Sequence, residues 1–437
     1  MVSTEKRLKQ YLERIKKQDT LNGTGKKINS FLQLNPDAIK QAKAIDAKKK
    51  KGKLAGKIIA VKANINVKGM NISCASKVLE NYNAPYDATV IKKIKEEDGL
   101  IIGITNQDEF ACGSSGETSA FGPTQNPAAL GKIPGGSSSG SAAAVAAEFC
   151  DMSLGSDTGC SIRVPGSFCG IIGVKPTYSS VSRYGLCDLS MSLDQIGPLA
   201  RTVEEAALLL SVINGYDKRD AISQESKINL QKINQKPKQL TIGILDFPIK
   251  DKRIQDLIEN KVNTIAKENN FKVKKIKIEN IDLAVSIYYP LVYVEFFSAT
   301  RKLDGRRYGK KIEDAAGPEV LRRILGGAEI TKAEHKGRYY HQALKAKKLI
   351  EQELANAFKK VDCIISPVTP KLPHNIGDKI SVQEMYEYDA LTIPHNLYGN
   401  CALSIPIGKI DNIPVGMQIA CDRFQDEKML QIARLFE

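Results

Sequence analysis

Pro134-Gly135-Gly136-Ser137-Ser138-Ser139-Gly140-Ser141, followed by Ala142-Ala143-Ala144-Val145-Ala146-Ala147 and then by Gly155-Ser156-Asp157-Thr158-Gly159-Cys160-Ser161-Ile162-Arg163, decides how the chain is read. The alanine run consists of good helix formers behind a serine-rich loop able to cap a helix N-terminus, so the order is loop, helix, loop. Glycines admit positive φ and let backbone N–H groups converge, and beside a helix N-terminus such a nest stabilises negative charge. An oxyanion or a phosphate needs that. A flexible Gly/Ser linker is the plainer reading, but linkers do not normally lead into an apolar helix and a second glycine loop. A phosphate cradle is the sharper rival, yet the chain has no Gly-x4-Gly-Lys-Ser/Thr and no complete Gly-x-Gly-x-x-Gly after a strand.

Upstream, Lys57-Ile58-Ile59-Ala60-Val61-Lys62-Ala63-Asn64-Ile65 predicts a buried strand with Lys62 near its end. Burial disfavours an ammonium, so a lysine there can serve as a neutral base, but it can also snorkel to solvent from the strand end. The run alone leaves both open. Lys62 precedes Ser137 by 75 residues and Ser137 precedes Ser161 by 24, and with the motifs around them these intervals resemble the amidase signature family. The resemblance implies a Ser-cisSer-Lys unit: Ser161 as the nucleophile that forms an acyl ester, Ser137 on a cis peptide bond as proton relay, and Lys62 as the base that starts neutral. It also implies an oxyanion hole built from the backbone N–H groups of Thr158, Gly159, Cys160 and Ser161. The chain departs from the family where Ser139 and Cys160 replace the usual glycines, and a Cβ is expected to crowd each loop.

Gly113-Ser114-Ser115-Gly116-Glu117, Val181-Ser182-Arg183-Tyr184-Gly185-Leu186 and Ser192-Leu193-Asp194-Gln195-Ile196-Gly197-Pro198-Leu199 narrow the resemblance to the A-type branch of tRNA-dependent amidotransferases. That branch implies a glutaminase that hydrolyses glutamine and delivers ammonia to a partner, which amidates Glu-tRNA(Gln) or Asp-tRNA(Asn). It implies B and C subunits as partners, tRNA held mainly by the B subunit, no cofactor in this chain, and ATP with Mg at the partner. Tyr288, Arg323 in preference to Arg322, and Asp389 correspond to the glutamine pocket: a guanidinium fork matches a carboxylate, and a carboxylate matches an ammonium. Read without the resemblance, an Arg pair and a lone Asp are ordinary surface groups. Two other functions stay open, a stand-alone amidase acting on another amide and a non-catalytic scaffold of an RNA-binding complex. The scaffold leaves the arrangement of Lys62, Ser137 and Ser161 unexplained.

The motifs run from Lys62 to Tyr398 of 437 residues without a low-complexity break, which favours one large α/β domain over 1–437. Within it lie a basic helical region, 1–53, and a catalytic core, 54–437, whose Gly/Ser signature spans 134–166. By resemblance the fold is a mixed central β-sheet covered by helices on both faces. Hydrophobic content of 42% and charged content of 26% fit a globular chain, and no apolar run reads as a membrane span. The start is a charged helix rather than a signal core, so a cytoplasmic protein is expected. Nine cysteines without Cys-x-x-Cys fit reduced thiols, and His335, His341, His374 and His395 give no metal-ligand spacing. Net charge is +15, and residues 1–53 hold fifteen Lys/Arg against five Asp/Glu. Such an arm could meet RNA or an acidic partner, but Leu8, Tyr11, Leu12 and Ile15 at helical spacing favour a solvated lysine face.

The rest of the pattern predicts a helix opened by Asn35-Pro36-Asp37 and running to about Ala47, an exposed turn at 48–53 and a helix capped by Asp87. Strands are expected at 100–105, near 169–176, and at 240–244, 363–365, 402–405 and 415–419. Helices are expected at about 253–269, 332–359 and 425–436.

Overall fold

Successive side chains of a strand point to opposite faces, so Ile58, Ala60 and Lys62 face one way and Ile59 and Val61 the other. The computed structural model, which describes residues 3–19 and 28–437, places this strand well inside an eleven-stranded sheet. Its strands are β1 (Phe31–Leu34), β2 (Ile58–Lys62), β3 (Leu100–Thr105), β4 (Met152–Asp157), β5 (Ile172–Lys175), β6 (Gln195–Ala200), β7 (Thr241–Leu245), β8 (Lys272–Ile276), β9 (Cys363–Pro367), β10 (Ala402–Ile410) and β11 (Ile413–Ala420). The spatial order is β1-β3-β2-β4-β6-β5-β10-β11-β9-β7-β8. β2 is parallel to β3 and β4, and β7 is parallel to β8 and β9; the other pairs are antiparallel, which makes the sheet mixed.

Every residue of β2, β3 and β4 is buried, as expected of strands covered on both faces. Ile59 and Val61 join a core with Ala206, Leu209 and Leu210 of the helix Val203–Ile213. Ile58 and Ala60 join another with Ala142–Val145 of the helix Ser139–Ala146 and Leu8 and Ile15 of the N-terminal helix. Lys62 therefore points to the side that carries the serine-rich loop.

The N-terminal helix Thr4–Gln18 is capped by Ser3, whose Oγ accepts from Lys6 N at 3.2 Å, and it buries Leu8 and Ile15 while most of its lysines face outward. Asp46 of the next helix, Ala38–Ala47, accepts from Thr4 N at 2.8 Å and Glu5 N at 3.0 Å. The region 1–53 also supplies β1, an edge strand antiparallel to β3, so it is not helical throughout.

Several boundaries differ from the sequence reading. Asn35 Oδ1 accepts from Asp37 N at 3.0 Å, so Asn35-Pro36-Asp37 is a turn ahead of the helix and proline is not its first residue. Asp87 caps nothing; the helix is Thr89–Glu96, and the Asp87 carboxylate takes Lys68 N and Lys95 Nζ, each at 2.8 Å. Gly155, Ser156 and Asp157 belong to β4, which confines the second loop to Thr158–Ile162. The helix expected from 332 begins at Arg338, because Lys336 and Gly337 adopt positive φ. The segment Ile281–Thr300 is long and apolar enough by composition to cross a membrane, although Asp282 and Glu295 interrupt its apolar run. Ala284, Ile287, Leu291, Val292 and Phe296 from it are buried in a core with Val320, Ile324, Ile350 and Leu354.

Candidate active site

Lys62 ends β2 fully buried, and its Nζ lies 2.7 Å from Ser137 Oγ. Ser156 on neighbouring β4 is the other partner, with its Oγ 2.9 Å and its carbonyl oxygen 3.2 Å from Nζ. A neutral amine has two N–H donors and one lone pair. Donating both to Ser156 leaves the lone pair for the Ser137 hydroxyl. Burial pushes the Lys62 amine down to about 7, against the pull of the carboxylates of Asp108, Asp157 and Asp194. The alternative of an amine snorkelling to solvent is thereby corrected: the strand end is enclosed, and Asn64 Nδ2 closes it further by donating to Ser156 Oγ at 3.0 Å.

Ser137 sits on the loop that enters the helix Ser139–Ala146, and the Gly136–Ser137 peptide bond is cis. Asp108 shapes this loop from behind. Its carboxylate accepts from Gly116 N, Thr118 N and Thr118 Oγ1, and its own N–H donates to Ser137 O at 3.2 Å. A Cβ at Gly136 would lie 1.9 Å from Asp108 Oδ2, so only glycine fits there. The loop bearing Ser161 is clasped to the first at two points: Ser138 N donates to Ser161 O at 3.1 Å, and Cys160 Sγ donates to Gly136 O at 3.5 Å. The two departures from glycine are accommodated by bonding, since Ser139 Oγ lies 3.2 Å from Thr124 Oγ1. Ser161 Oγ makes no hydrogen bond among the described residues. The Lys62–Ser137 link of the relay is formed, and the Ser137–Ser161 link is not.

Asp157 and Arg163 hold the second loop in place. Both side chains are buried; Arg163 donates through Nε and Nη2 to Asp157 at 3.1 and 2.9 Å, and through Nη2 to Gly159 O at 2.9 Å. Asp157 also accepts from Ile162 N at 3.0 Å and Asn396 Nδ2 at 2.9 Å. Burial alone would raise the Asp157 carboxyl, but the Arg163 charge and these bonds hold it at about 2. Thr158 Oγ1 donates to Asp194 at 2.6 Å, and burial raises that carboxyl to about 7. With the side chains fixed, the backbone N–H groups of Thr158, Gly159, Cys160 and Ser161 have no acceptor among the described residues. Unpaired N–H donors beside Ser161 are what a developing oxyanion requires, and losing one such donor typically costs about 2.7–4 kcal/mol. Burial pushes the Cys160 thiol well above its usual value, which leaves it inert beside Ser161.

The expected pocket residues converge from three separate elements. Tyr288 packs its hydroxyl over Gly159, where a Cβ would lie 2.8 Å away. Its neighbour Tyr289, which the sequence reading did not select, donates to Asp389 Oδ2 at 2.8 Å, while Asp389 Oδ1 is buried beside the Cys160 thiol without a geometric hydrogen bond among the described residues. Burial raises the Asp389 carboxyl to about 6, with the neighbouring Cys160 thiol, the Tyr289 bond and the Arg323 charge opposing. Arg323 is buried against the Tyr289 ring, 5.7 Å from its centroid, and its terminal nitrogens have no hydrogen-bond acceptor among the described residues. Arg322 is the more exposed and turns away to Glu319 and Tyr293. Arg323 and Asp389 thus flank the Tyr289 side chain, a cation on one contact and a carboxylate on the other.

Sequence reasoning missed Ser156, Asn64, Asp108, Asp194, Tyr289 and Asn396. Ser156 stood inside the quoted stretch, but a Gly-Ser-Asp run reads as loop, and its place on β4 beside Lys62 shows only in the sheet. The histidines lie apart from the serines: His395 is buried, held neutral at about 3 by desolvation, with Nδ1 3.2 Å from Asn400. His335 lies at the surface with Glu329 and Glu334, a grouping compact enough for a metal ion that the spacing of the histidines did not reveal.

The family described as Amidase matches residues 8–430. The A subunit of the glutamyl-tRNA(Gln) amidotransferase of Methanocaldococcus jannaschii is 52% identical over 436 residues, which is 99% of this chain and 98% of that protein. Among solved structures, the A subunit of the glutamyl-tRNA(Gln) amidotransferase from Thermotoga maritima aligns with a TM-score of 0.86 at 38% identity, covering 99% of this chain and 91% of that one. The native peptide amidase from Stenotrophomonas maltophilia aligns with a TM-score of 0.86 at 27% identity, covering 100% and 93%. Sequence and fold agree along almost the whole length, and the chain belongs to the amidase family.

Proposed function

We propose that the chain is the glutaminase component of a tRNA-dependent amidotransferase, working in the cytoplasm with B and C subunits on Glu-tRNA(Gln). Neutral Lys62 draws a proton from Ser137 as Ser137 takes one from Ser161, and Ser161 Oγ attacks the side-chain carboxamide carbon of glutamine. The N–H groups of Thr158–Ser161 receive the oxyanion. Collapse returns a proton through Ser137 to the leaving nitrogen, releasing ammonia and a glutamyl ester on Ser161. Water, deprotonated along the same relay, cleaves the ester to glutamate. Arg323 and Asp389 bind the α-carboxylate and α-ammonium, with Tyr288 closing the pocket over Gly159. Ammonia then passes to the partner, where ATP and Mg2+ activate the carboxylate that is to be amidated, and the B subunit holds most of the tRNA.

The observation that carries this reading is the buried Lys62–Ser137 contact facing a loop of unpaired N–H donors. The zwitterion-matched pocket favours glutamine over a simple amide. The test is conversion of Glu-tRNA(Gln) to Gln-tRNA(Gln) with glutamine and ATP, by the chain alone and with B and C subunits, with Asp-tRNA(Asn) in parallel. Conversion only on assembly is the expected result; efficient conversion by the chain alone, or none in the complex, overturns the proposal.

A further inference from the structure

We infer that Glu319 is the positioning residue of the amino-acid pocket: it divides the Arg322–Arg323 pair, turning the Arg323 fork inward to the substrate carboxylate and holding Arg322 outside. The inference rests on the glutaminase reading above and extends it from the groups that bind the substrate to the residue that orients them.

Two adjacent arginines on a helix point about 100° apart, so sequence alone does not say which one faces a ligand. Glu319 stands in the first turn of the helix Pro318–Ile330, where the helix dipole favours a carboxylate, three and four residues ahead of the two arginines. Its Oε1 accepts from Arg323 Nε at 2.8 Å and from Arg322 Nη2 at 2.7 Å, and its Oε2 accepts from Arg322 Nε at 2.8 Å. Arg323 thus spends only its inner nitrogen on Glu319 and keeps both terminal nitrogens for a bidentate partner. Arg322 spends its edge on Glu319 and its remaining terminal nitrogen on Tyr293.

The contacts continue from there to the other end of the pocket. Tyr293 OH is bonded to Tyr386 OH, the Tyr386 ring stacks on Tyr289 at 3.6 Å between centroids, and Tyr289 OH holds Asp389. One carboxylate therefore orients the carboxylate-binding arginine directly and, through Arg322 and three tyrosines, supports the ammonium-binding aspartate. Burial would raise the Glu319 carboxyl, and the two guanidinium charges keep it below its usual value, so it stays ionised. The group lines a small opening of about 110 Å³ with Ser115, Thr118 and Met385.

The experiment uses the chain assembled with its partner subunits and follows ammonia release. The probes are L-glutamine as substrate and 4-aminobutanamide, which is glutamine without its α-carboxylate, as competitor. For Glu319→Gln the KM for glutamine should rise about tenfold while kcat stays within about twofold, because the lost interaction is made equally in ground and transition states. The inhibition constant of 4-aminobutanamide, whose ammonium site Glu319 reaches only through Arg322 and three tyrosines, should move much less, within about twofold. Glu319→Asp keeps the charge and should fall between, and it serves if the glutamine variant folds poorly. Equal weakening of both ligands, a fall in kcat alone, or an unchanged KM would overturn the inference. A wild-type complex that releases no ammonia from glutamine would instead overturn the glutaminase reading and this inference together.

Discussion

At the scale of a residue, the proposed relay makes activity depend on the protonation state of Lys62. Its amine is held near 7 by burial, and only the neutral form can take a proton from Ser137. Lowering the pH through 7 loads the amine, so kcat/KM for glutamine should fall about tenfold per unit below that point and level off above it. A pH–rate profile checks this, and a flat profile between about pH 5.5 and 8 would remove the base role. Lys62→Arg should be as inactive as Lys62→Ala, since a guanidinium keeps its charge at every working pH. These residues were legible in the sequence because each sits in a short distinctive run. Ser156, which takes the two N–H donors of Lys62, was not, because its orientation depends on β4 lying beside β2.

At the scale of an element, the loop Thr158–Ile162 is held by its neighbours rather than by its own sequence. Arg163 reaches Asp157, Gly159 O, Thr392 O and Gln418, which ties the loop to the 392–396 segment and to β11. Arg163→Met leaves Asp157 buried and unpaired. Removing one partner of a buried pair costs roughly 3–5 kcal/mol, so the urea midpoint should drop sharply and glutaminase activity with it. A variant with wild-type midpoint and turnover would show that the clamp is dispensable. Strands such as Leu100–Thr105 were readable because a fully buried strand is a continuous apolar run. β8, Lys272–Ile276, was not, because it is a largely exposed edge strand whose lysines mask it. The helix starts expected at Asn35-Pro36-Asp37 and Asp87 misled because the side chains bond elsewhere: Asn35 Oδ1 closes a turn by accepting from Asp37 N, and Asp87 accepts from Lys68 N.

At the scale of the molecule, the sheet gathers residues that are far apart in sequence. Lys62 and Ser137 meet across 75 residues, Thr158 and Asp194 across 36, and Tyr289 and Asp389 across 100. The first of these could be anticipated from spacing because the Gly/Ser motif announces one partner. The others required the strand order, which short apolar runs do not encode. The basic N-terminal region resolves, where described, into helices that pack on the core and an edge strand, with Arg7 reaching Asp151 and Gly56 O. The central claim is that Ser161 carries the glutamyl group of the substrate. The most direct measurement is to quench the assembled protein with acid during turnover of glutamine and map adducts by peptide mass spectrometry. A single glutamyl ester on the peptide containing Ser161, absent from Ser161→Ala, is the expected result; turnover without any adduct under conditions where deacylation is slow, or an adduct on Ser137 or Cys160, would contradict it.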